Sequence, residues 1–244
     1  MDLHFLGRGA AFNPKEGNNS AYFIENDTLF LIDCGENIFE KIILNDILNS
    51  INNVNVLITH THSDHIGSLG TLIMYCYYVL QKKLNIIIPT NPKYLDDVKT
   101  ILKCFGCSDD MYKFIYESTF DNQYKSFFNI RFMKTEHCDN MNCYGIKFNT
   151  SSGIVYYSGD TRKLDNIKEF ILNGQLIDKL YIDTTSLDYP NNVHLYIGKL
   201  YKEIPSSLRD KVYCMHINDD KCKELALQYD FNIVKLDNCK KKIK

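Results

Sequence analysis

Ile58-Thr59-His60-Thr61-His62-Ser63-Asp64-His65-Ile66-Gly67 puts three imidazoles and a carboxylate within six residues, between a run of apolar β-formers and a helical stretch. In the extended entry His60 and His62 point the same way, because strand side chains alternate with period two. The turn into a helix starting near Ile66 redirects Asp64 and His65 toward a neighbouring point. One segment thus offers two imidazoles to one ion and a carboxylate plus an imidazole to a second, donors that suit zinc, manganese or iron. Such spacing at the end of a buried strand reads as metal binding rather than as a histidine-rich turn.

Strand signals lie upstream of this segment. Leu3–Leu6 is a short strand running into Gly7-Arg8-Gly9-Ala10-Ala11, and Ala21–Glu25 with Thr28–Ile32 reads as a hairpin turned at Asn26-Asp27. A helix is expected over Asn37–Leu48 and the buried strand over Val54–Ile58. Downstream, the pattern predicts a helix over Ile66–Gln81, a strand at Ile86–Ile88 and a helix over Lys93–Cys104, entered after Pro92. Residues 105–129 alternate aromatics and acids without a clean period, and a helix plus a strand is the expectation there. Strands return at Ile130–Thr135, Gly145–Thr150 and Ile154–Ser158. Helix and strand then alternate through Leu164–Leu172, Leu180–Asp183, Leu195–Ile204, Val212–His216, Lys221–Tyr229 and Ile233-Val234. Strands lead each half, which suits two mixed sheets packed face to face with helices outside. No internal repeat of fixed short period is visible.

Composition narrows the class. The 244 residues are 45% hydrophobic and 24% charged, which excludes a disordered chain, and the net charge of −2 gives no global field to recruit nucleic acid. No apolar stretch follows a basic start, and no run approaches the ~20 apolar residues of a bilayer helix, so a cytoplasmic protein without a membrane partner is expected. Nine cysteines, an odd number without an export signal, read as reduced thiols. Cys104-Phe105-Gly106-Cys107 has the spacing of a zinc or redox pair. A four-ligand site would need a second pair, and Cys138 with Cys143 is more loosely spaced. The basic run Lys240–Lys244 reads as a solvated end.

Two ions need more ligands than one segment supplies. The histidines are 4, 60, 62, 65, 137, 194 and 216. His137 follows the strand ending at Thr135, Asp160 lies in Ser158-Gly159-Asp160-Thr161 just past another, and His216 ends a third. A carboxylate at Asp160 has two oxygens with which to bridge.

With Ile32-Asp33-Cys34-Gly35, the His60–His65 segment, His137, Ser158-Gly159-Asp160-Thr161 and His216, the chain resembles the metallo-β-lactamase-fold hydrolases over nearly its full length. The resemblance implies one α/β domain over residues 1–244, a four-layer αββα sandwich with two divalent ions at one edge, zinc first and manganese or iron as alternatives. One ion would take His60, His62 and His137, the other Asp64, His65 and His216, with Asp160 shared and Asp33 orienting a ligand histidine. Such a centre attacks with a hydroxide bridging the two ions, and Asp64 can hold that nucleophile's proton.

Phe5-Leu6-Gly7-Arg8-Gly9-Ala10-Ala11, Asp33-Cys34-Gly35-Glu36 and Ile58–Gly67 are most similar to the ribonuclease Z-like phosphodiesterase branch. In that branch a carboxylate and a histidine assist from outside the metal shell. Asp183 and His194 stand at this stage, Asp183 where a glutamate is expected, and an imidazolium at His194 would protonate the leaving alkoxide. The long basic arm with which tRNA-processing members grip tRNA is not visible, and a near-neutral chain lacks the electrostatic footprint of a polyanion binder. A small phosphodiester is therefore the expected substrate, with 3′,5′-cyclic mononucleotides opened to 5′-monophosphates as the leading choice. Compact cyclic-nucleotide phosphodiesterases, phage anti-Pycsar enzymes among them, share these features, and relatives imply a homodimer. A tRNA 3′-end endonuclease and a lactonase or thioester hydrolase are the alternatives. Arg8 and Arg162 serve either as phosphate contacts or as solvated surface charges.

Overall fold

Asn26 and Asp27 both take left-handed backbone (φ 48° and 57°), the requirement of a two-residue type I′ turn, and they join strand β2 (Ser20–Glu25) to β3 (Thr28–Ile32) in antiparallel register, Glu25 opposite Thr28 and Ala21 opposite Ile32. The structure, a computed structural model, describes residues 1–120 and 127–237. It resolves into two compact units. One comprises Asp2–Gly7, Gly17–Phe120 and the residues from Lys235; the other comprises Met1, Arg8–Glu16 and Asp121–Val234. We call them the N-terminal and C-terminal units. The tail Lys240–Lys244, and Asp121 in the stretch with no clean period, lie outside the described residues.

In the N-terminal unit a six-stranded sheet runs in chain order: β1 (His4–Gly7), β2, β3, β4 (Asn53–Leu57), β5 (Leu84–Ile88) and β6 (Tyr112–Tyr116). The first three strands are antiparallel and the rest parallel. β3 is buried along its whole length, as the continuous apolar run of a parallel-sheet strand requires. Helix α1 (Ile38–Leu44) is shorter than the expected Asn37–Leu48. Asp46 turns left-handed (φ 55°) and Ile47 donates back to the Ile42 carbonyl, closing the helix while Ile47 and Leu48 stay buried in the turns beyond. The expected helix over Ile66–Gln81 divides into α2 (Ser63–Ile66) and α3 (Leu69–Tyr78). The Ser68 N–H leaves the helical ladder to donate to the Cys34 carbonyl, so the break comes from tertiary structure. Helix α4 (Pro92–Cys104) starts with proline in its first turn, its Asn91 cap accepting from the Tyr94 N–H, and buries Tyr94, Val98 and Leu102 on one face. Within residues 105–129, β6 and a 3₁₀ turn at Glu117–Thr119 are formed among the described residues.

The C-terminal unit repeats this plan. β7 (Phe128–Thr135), β8 (Cys143–Thr150) and β9 (Gly153–Tyr157) are antiparallel, and β10 (Ile177–Asp183), β11 (Val212–Met215) and β12 (Asn232–Ile233) continue in parallel. Helices α5 (Asp165–Leu172), α6 (Ile197–Glu203) and α7 (Asp220–Gln228) alternate with the parallel strands. Their apolar faces join the sheet in one core that includes Tyr156, Ile167, Phe170, Leu180, Ile182, Leu200, Cys214, Ile217 and Ala226. No disulfide joins the described cysteines; Cys104 is exposed while Cys107 is buried with its thiol toward the Gly70 carbonyl, so the two do not face one ligand. No helix among the described residues is long and apolar enough to cross a membrane.

Candidate metal centre

Strand register builds the first cluster. β3 and β4 run parallel with Ile32 beside Leu57, so the residues following each strand meet at one end, and the Asp33 N–H donates to the Leu57 carbonyl. Asp33 is fully buried and left-handed (φ 63°), a backbone state that costs about 1–3 kcal/mol and persists only where the surroundings over-determine it. They do so here. The Thr59 N–H and hydroxyl each donate to the Asp33 carboxylate at 2.8 Å, and His65 Nδ1 lies 2.8 Å from the same group. Cys34 N–H donates to the His65 carbonyl (2.7 Å), and a Cβ at Gly35 would collide with the Asp64 carbonyl. The Tyr94 hydroxyl, donating 2.6 Å to the Ile58 carbonyl, fixes the strand end from helix α4.

These bonds decide which ring nitrogens are presented. The Asp33 carboxylate accepts, so His65 donates through Nδ1 and turns Nε2 forward, 3.3 Å from Asp64 Oδ2. The Thr59 hydroxyl hydrogen is directed at Asp33, so its oxygen accepts from His60 Nδ1 (3.1 Å), and His60 Nε2 faces His62 Nδ1 at 2.9 Å. His60 and His65 are wholly buried and Asp64 nearly so. One buried carboxylate therefore braces two histidines, His65 directly and His60 through Thr59. Burial pushes the Asp33 carboxyl above the ordinary carboxylate range, outweighing the downward pull of His65 and Thr59.

The C-terminal unit has a second buried carboxylate. β10 and β11 pair with Asp183 beside Met215, which puts His216 one residue past the strand end, again left-handed (φ 55°). Asp183 Oδ2 lies 2.9 Å from His194 Nδ1 and accepts from the Thr161 N–H at 2.9 Å, while its Oδ1 is 3.4 Å from His216 Nδ1. His137 Nδ1 donates to the Val193 carbonyl (2.9 Å). Its Nε2 and that of His216 both turn to one oxygen of Asp160, Oδ2, at 3.7 and 3.4 Å. His194 Nδ1 is 3.8 Å from that same oxygen, and its ring stacks on His216 with centroids 4.7 Å apart. Asp160, Asp183, His194 and His216 each bring one donor atom within 4.8 Å of the others.

Charge follows from these contacts. Burial opposes ionisation of Asp183, but His194 and His216 outweigh it and hold the carboxyl below its ordinary range. Burial likewise opposes a charged His194, and Asp183 with Asp160 outweighs it, so this imidazole holds its proton to higher pH than usual. His137 moves the other way, burial lowering it toward the neutral form a metal ligand needs.

The donor set fits divalent ions. His60, His65 and His137 each have Nδ1 within hydrogen-bond distance of an oxygen, His216 has Nδ1 3.4 Å from Asp183 Oδ1, and all four turn Nε2 toward another donor, the arrangement that directs a ligand imidazole. Asp64 and Asp160 add buried carboxylates. Within the N-terminal unit the structure gathers His60, His62, Asp64 and His65, and within the C-terminal unit His137, Asp160, Asp183, His194 and His216. Sequence reasoning missed Thr59 as the link from Asp33 to His60, and missed the second histidine on Asp183. A hydroxyl residue at a buried strand end was the signal for Thr59; contacts across 33 residues left none for the other. Both arginines are half-buried and have acidic partners. Arg8 donates to Glu16 and to the Val234 carbonyl, both at 2.7 Å, and Arg162 pairs with Asp139 at 3.0 Å and Glu136 at 3.6 Å.

The family model of the anti-Pycsar protein Apyc1 matches residues 1–235. The chain belongs to the Apyc1 family. The anti-Pycsar protein Apyc1 of Bacillus phage BSP38 is 28% identical over 235 residues, 89% of each chain. A ribonuclease Z of Methanococcus aeolicus is 37% identical over 105 residues, 42% of this chain and 32% of that enzyme. Among solved structures, the metallo-β-lactamase-fold protein YhfI of Bacillus subtilis superposes with a TM-score of 0.68 at 18% identity, over 97% of this chain and 96% of its own. This Apyc1-family chain therefore has the metallo-β-lactamase fold, as its opening motifs led us to expect.

Proposed function

We propose that the protein hydrolyses 3′,5′-cyclic mononucleotides to 5′-monophosphates. It is a metal-dependent phosphodiesterase. The observation that carries the reading is the Apyc1-family match over residues 1–235, and the His/Asp clusters supply the chemistry. The ribonuclease Z likeness covers a minority of both chains and does not extend to a tRNA-cleaving reading.

In this reading the ligands divide as the family resemblance implies: His60, His62 and His137 for one ion, Asp64, His65 and His216 for the other, and Asp160 for both. Residues 1–244 then act as one hydrolytic domain. Family membership supports this allocation, and the Nδ1-backed imidazoles of each unit support its chemistry. Two divalent ions, zinc first, supply Lewis acidity toward the phosphoryl oxygens and an activated water. The residues do the rest. Asp33 and Asp183 keep the histidines in their ligating tautomers. Asp64 takes up the nucleophile's proton. His194, kept protonated by Asp183, donates its proton to the departing 3′-oxygen, a role that suits a pKa shifted upward. A homodimer in the cytoplasm is proposed on the resemblance alone.

The test is direct. Purified protein incubated with the four common cyclic mononucleotides should release 5′-monophosphates, resolved by chromatography, and should leave a tRNA precursor and an acyl lactone intact. Lactone turnover with inert phosphodiesters overturns the proposal. Elemental analysis should find two transition ions per chain.

A further inference from the structure

The second half of the motif Phe5-Leu6-Gly7-Arg8-Gly9-Ala10-Ala11 supplies no atom to either cluster, yet it is tied to the residue that follows His216. Gly9 forms a parallel bridge with Ile217. The Ile217 N–H donates to the Arg8 carbonyl (2.7 Å), and the Ile217 carbonyl accepts from the Ala10 N–H (3.1 Å) and the Asn13 side-chain amide (2.9 Å). Both backbone groups of Ile217 are thus held by one loop. Thr184 secures the other side of His216, its N–H donating to the Met215 carbonyl at 3.1 Å.

The loop is itself locked. Arg8 N–H donates to the Glu16 carbonyl (3.2 Å) and Asn13 N–H to that of Ala10 (2.9 Å), closing residues 8–16 on themselves. The Arg8 guanidinium spans Glu16 Oε2 and the Val234 carbonyl, and Lys223 Nζ meets the other Glu16 oxygen at 2.7 Å. Val234 N–H in turn donates to the Cys214 carbonyl on β11, the strand that ends just before His216. Arg8 therefore ties the loop both to itself and to the strand end it braces.

We propose that Arg8 is a positioning residue for His216. The left-handed backbone at His216 is disfavoured in a non-glycine residue and needs fixed neighbours on both sides; the Arg8–Glu16 loop is the fixed neighbour on the C-terminal side. Loosening it lets His216 relax toward ordinary backbone and swings Nε2 away from Asp160. The inference rests on the proposed role of His216 as a metal ligand, and it gives the N-terminal motif a task outside substrate contact.

The test is zinc affinity, measured by competition with a chromophoric chelator, alongside zinc stoichiometry and thermal unfolding of the metal-free protein. Arg8→Met should weaken one of the two sites by about ten- to a hundredfold, the range for residues that orient metal ligands, and leave the other as in wild type. Arg8→Lys, which can reach Glu16 or Val234 but not both, should recover part of the loss. Asn13→Ala removes one bond to Ile217 and should weaken the same site by about fivefold; it decides the matter if Arg8→Met fails to fold. Unchanged zinc affinity in Asn13→Ala and in any folded Arg8 variant, with only the melting temperature lowered, makes Arg8 a general staple and overturns the inference. Wild-type protein that binds no transition ion overturns the metal-centre reading beneath it.

Discussion

The two units share a strand plan and a device, and they use the device differently. Each runs three antiparallel strands into three parallel ones, and each buries an aspartate at a parallel strand end where a left-handed residue stands close by. In the N-terminal unit Asp33 braces His65 and, through Thr59, His60, both of them proposed ligands. In the C-terminal unit Asp183 braces His216, a proposed ligand, and His194, the proposed acid. Their protonation tendencies diverge accordingly. Burial leaves Asp33 shifted up, while two directly facing imidazoles leave Asp183 shifted down. In the proposed reading the same element holds metal ligands in one unit and joins metal binding to proton donation in the other.

The sharpest way to break this comparison is to neutralise both aspartates. Asp183→Asn should lower kcat by about 10²–10⁴, the usual contribution of a positioned acid, and also weaken metal binding. Asp33→Asn should weaken metal binding by about ten- to a hundredfold, with kcat near wild type once metal is saturating. Steady-state kinetics across a metal titration separates the two patterns, and identical behaviour of the variants would dissolve the distinction. His194→Gln isolates the second half of the Asp183 role: kcat should fall by about 10²-fold with metal stoichiometry intact. Its pH profile should lose the alkaline limb that wild type shows as the upward-shifted His194 gives up its proton. Loss of metal from this variant would instead make His194 a ligand.

The smallest effect concerns the loop of the C-terminal unit. Burial opposes the Glu16 carboxylate, but Arg8 and Lys223 hold its pKa below the usual value. Its contribution to stability is therefore present above the unfolded-state pKa and vanishes as pH falls through the folded one. Glu16→Gln should cost roughly 0.5–1 kcal/mol at pH 7 and progressively less as pH falls below the usual glutamate range, read from urea unfolding across that pH series.

What could be read from the chain and what could not divides along the same line. The Asn26-Asp27 turn, the strand before Thr59 and the His60–His65 segment are local patterns, carried by residue type and spacing. The break at Gly67-Ser68 was hidden because it depends on the Cys34 carbonyl, more than thirty residues away. The early end of α1 was hidden because Ile47 and Leu48 keep an apolar spacing after the helix has stopped. His137, Asp160 and His216 could be picked out as polar residues past strand ends. The pairing of Asp183 with His216, by contrast, follows only from the β10–β11 register.

The engagement of Arg8 and Arg162 by acidic partners has a consequence for the order of events. With Arg8 held by Glu16 and Arg162 held by Asp139 and Glu136, each guanidinium would have to part from an acidic partner before it could meet a phosphate.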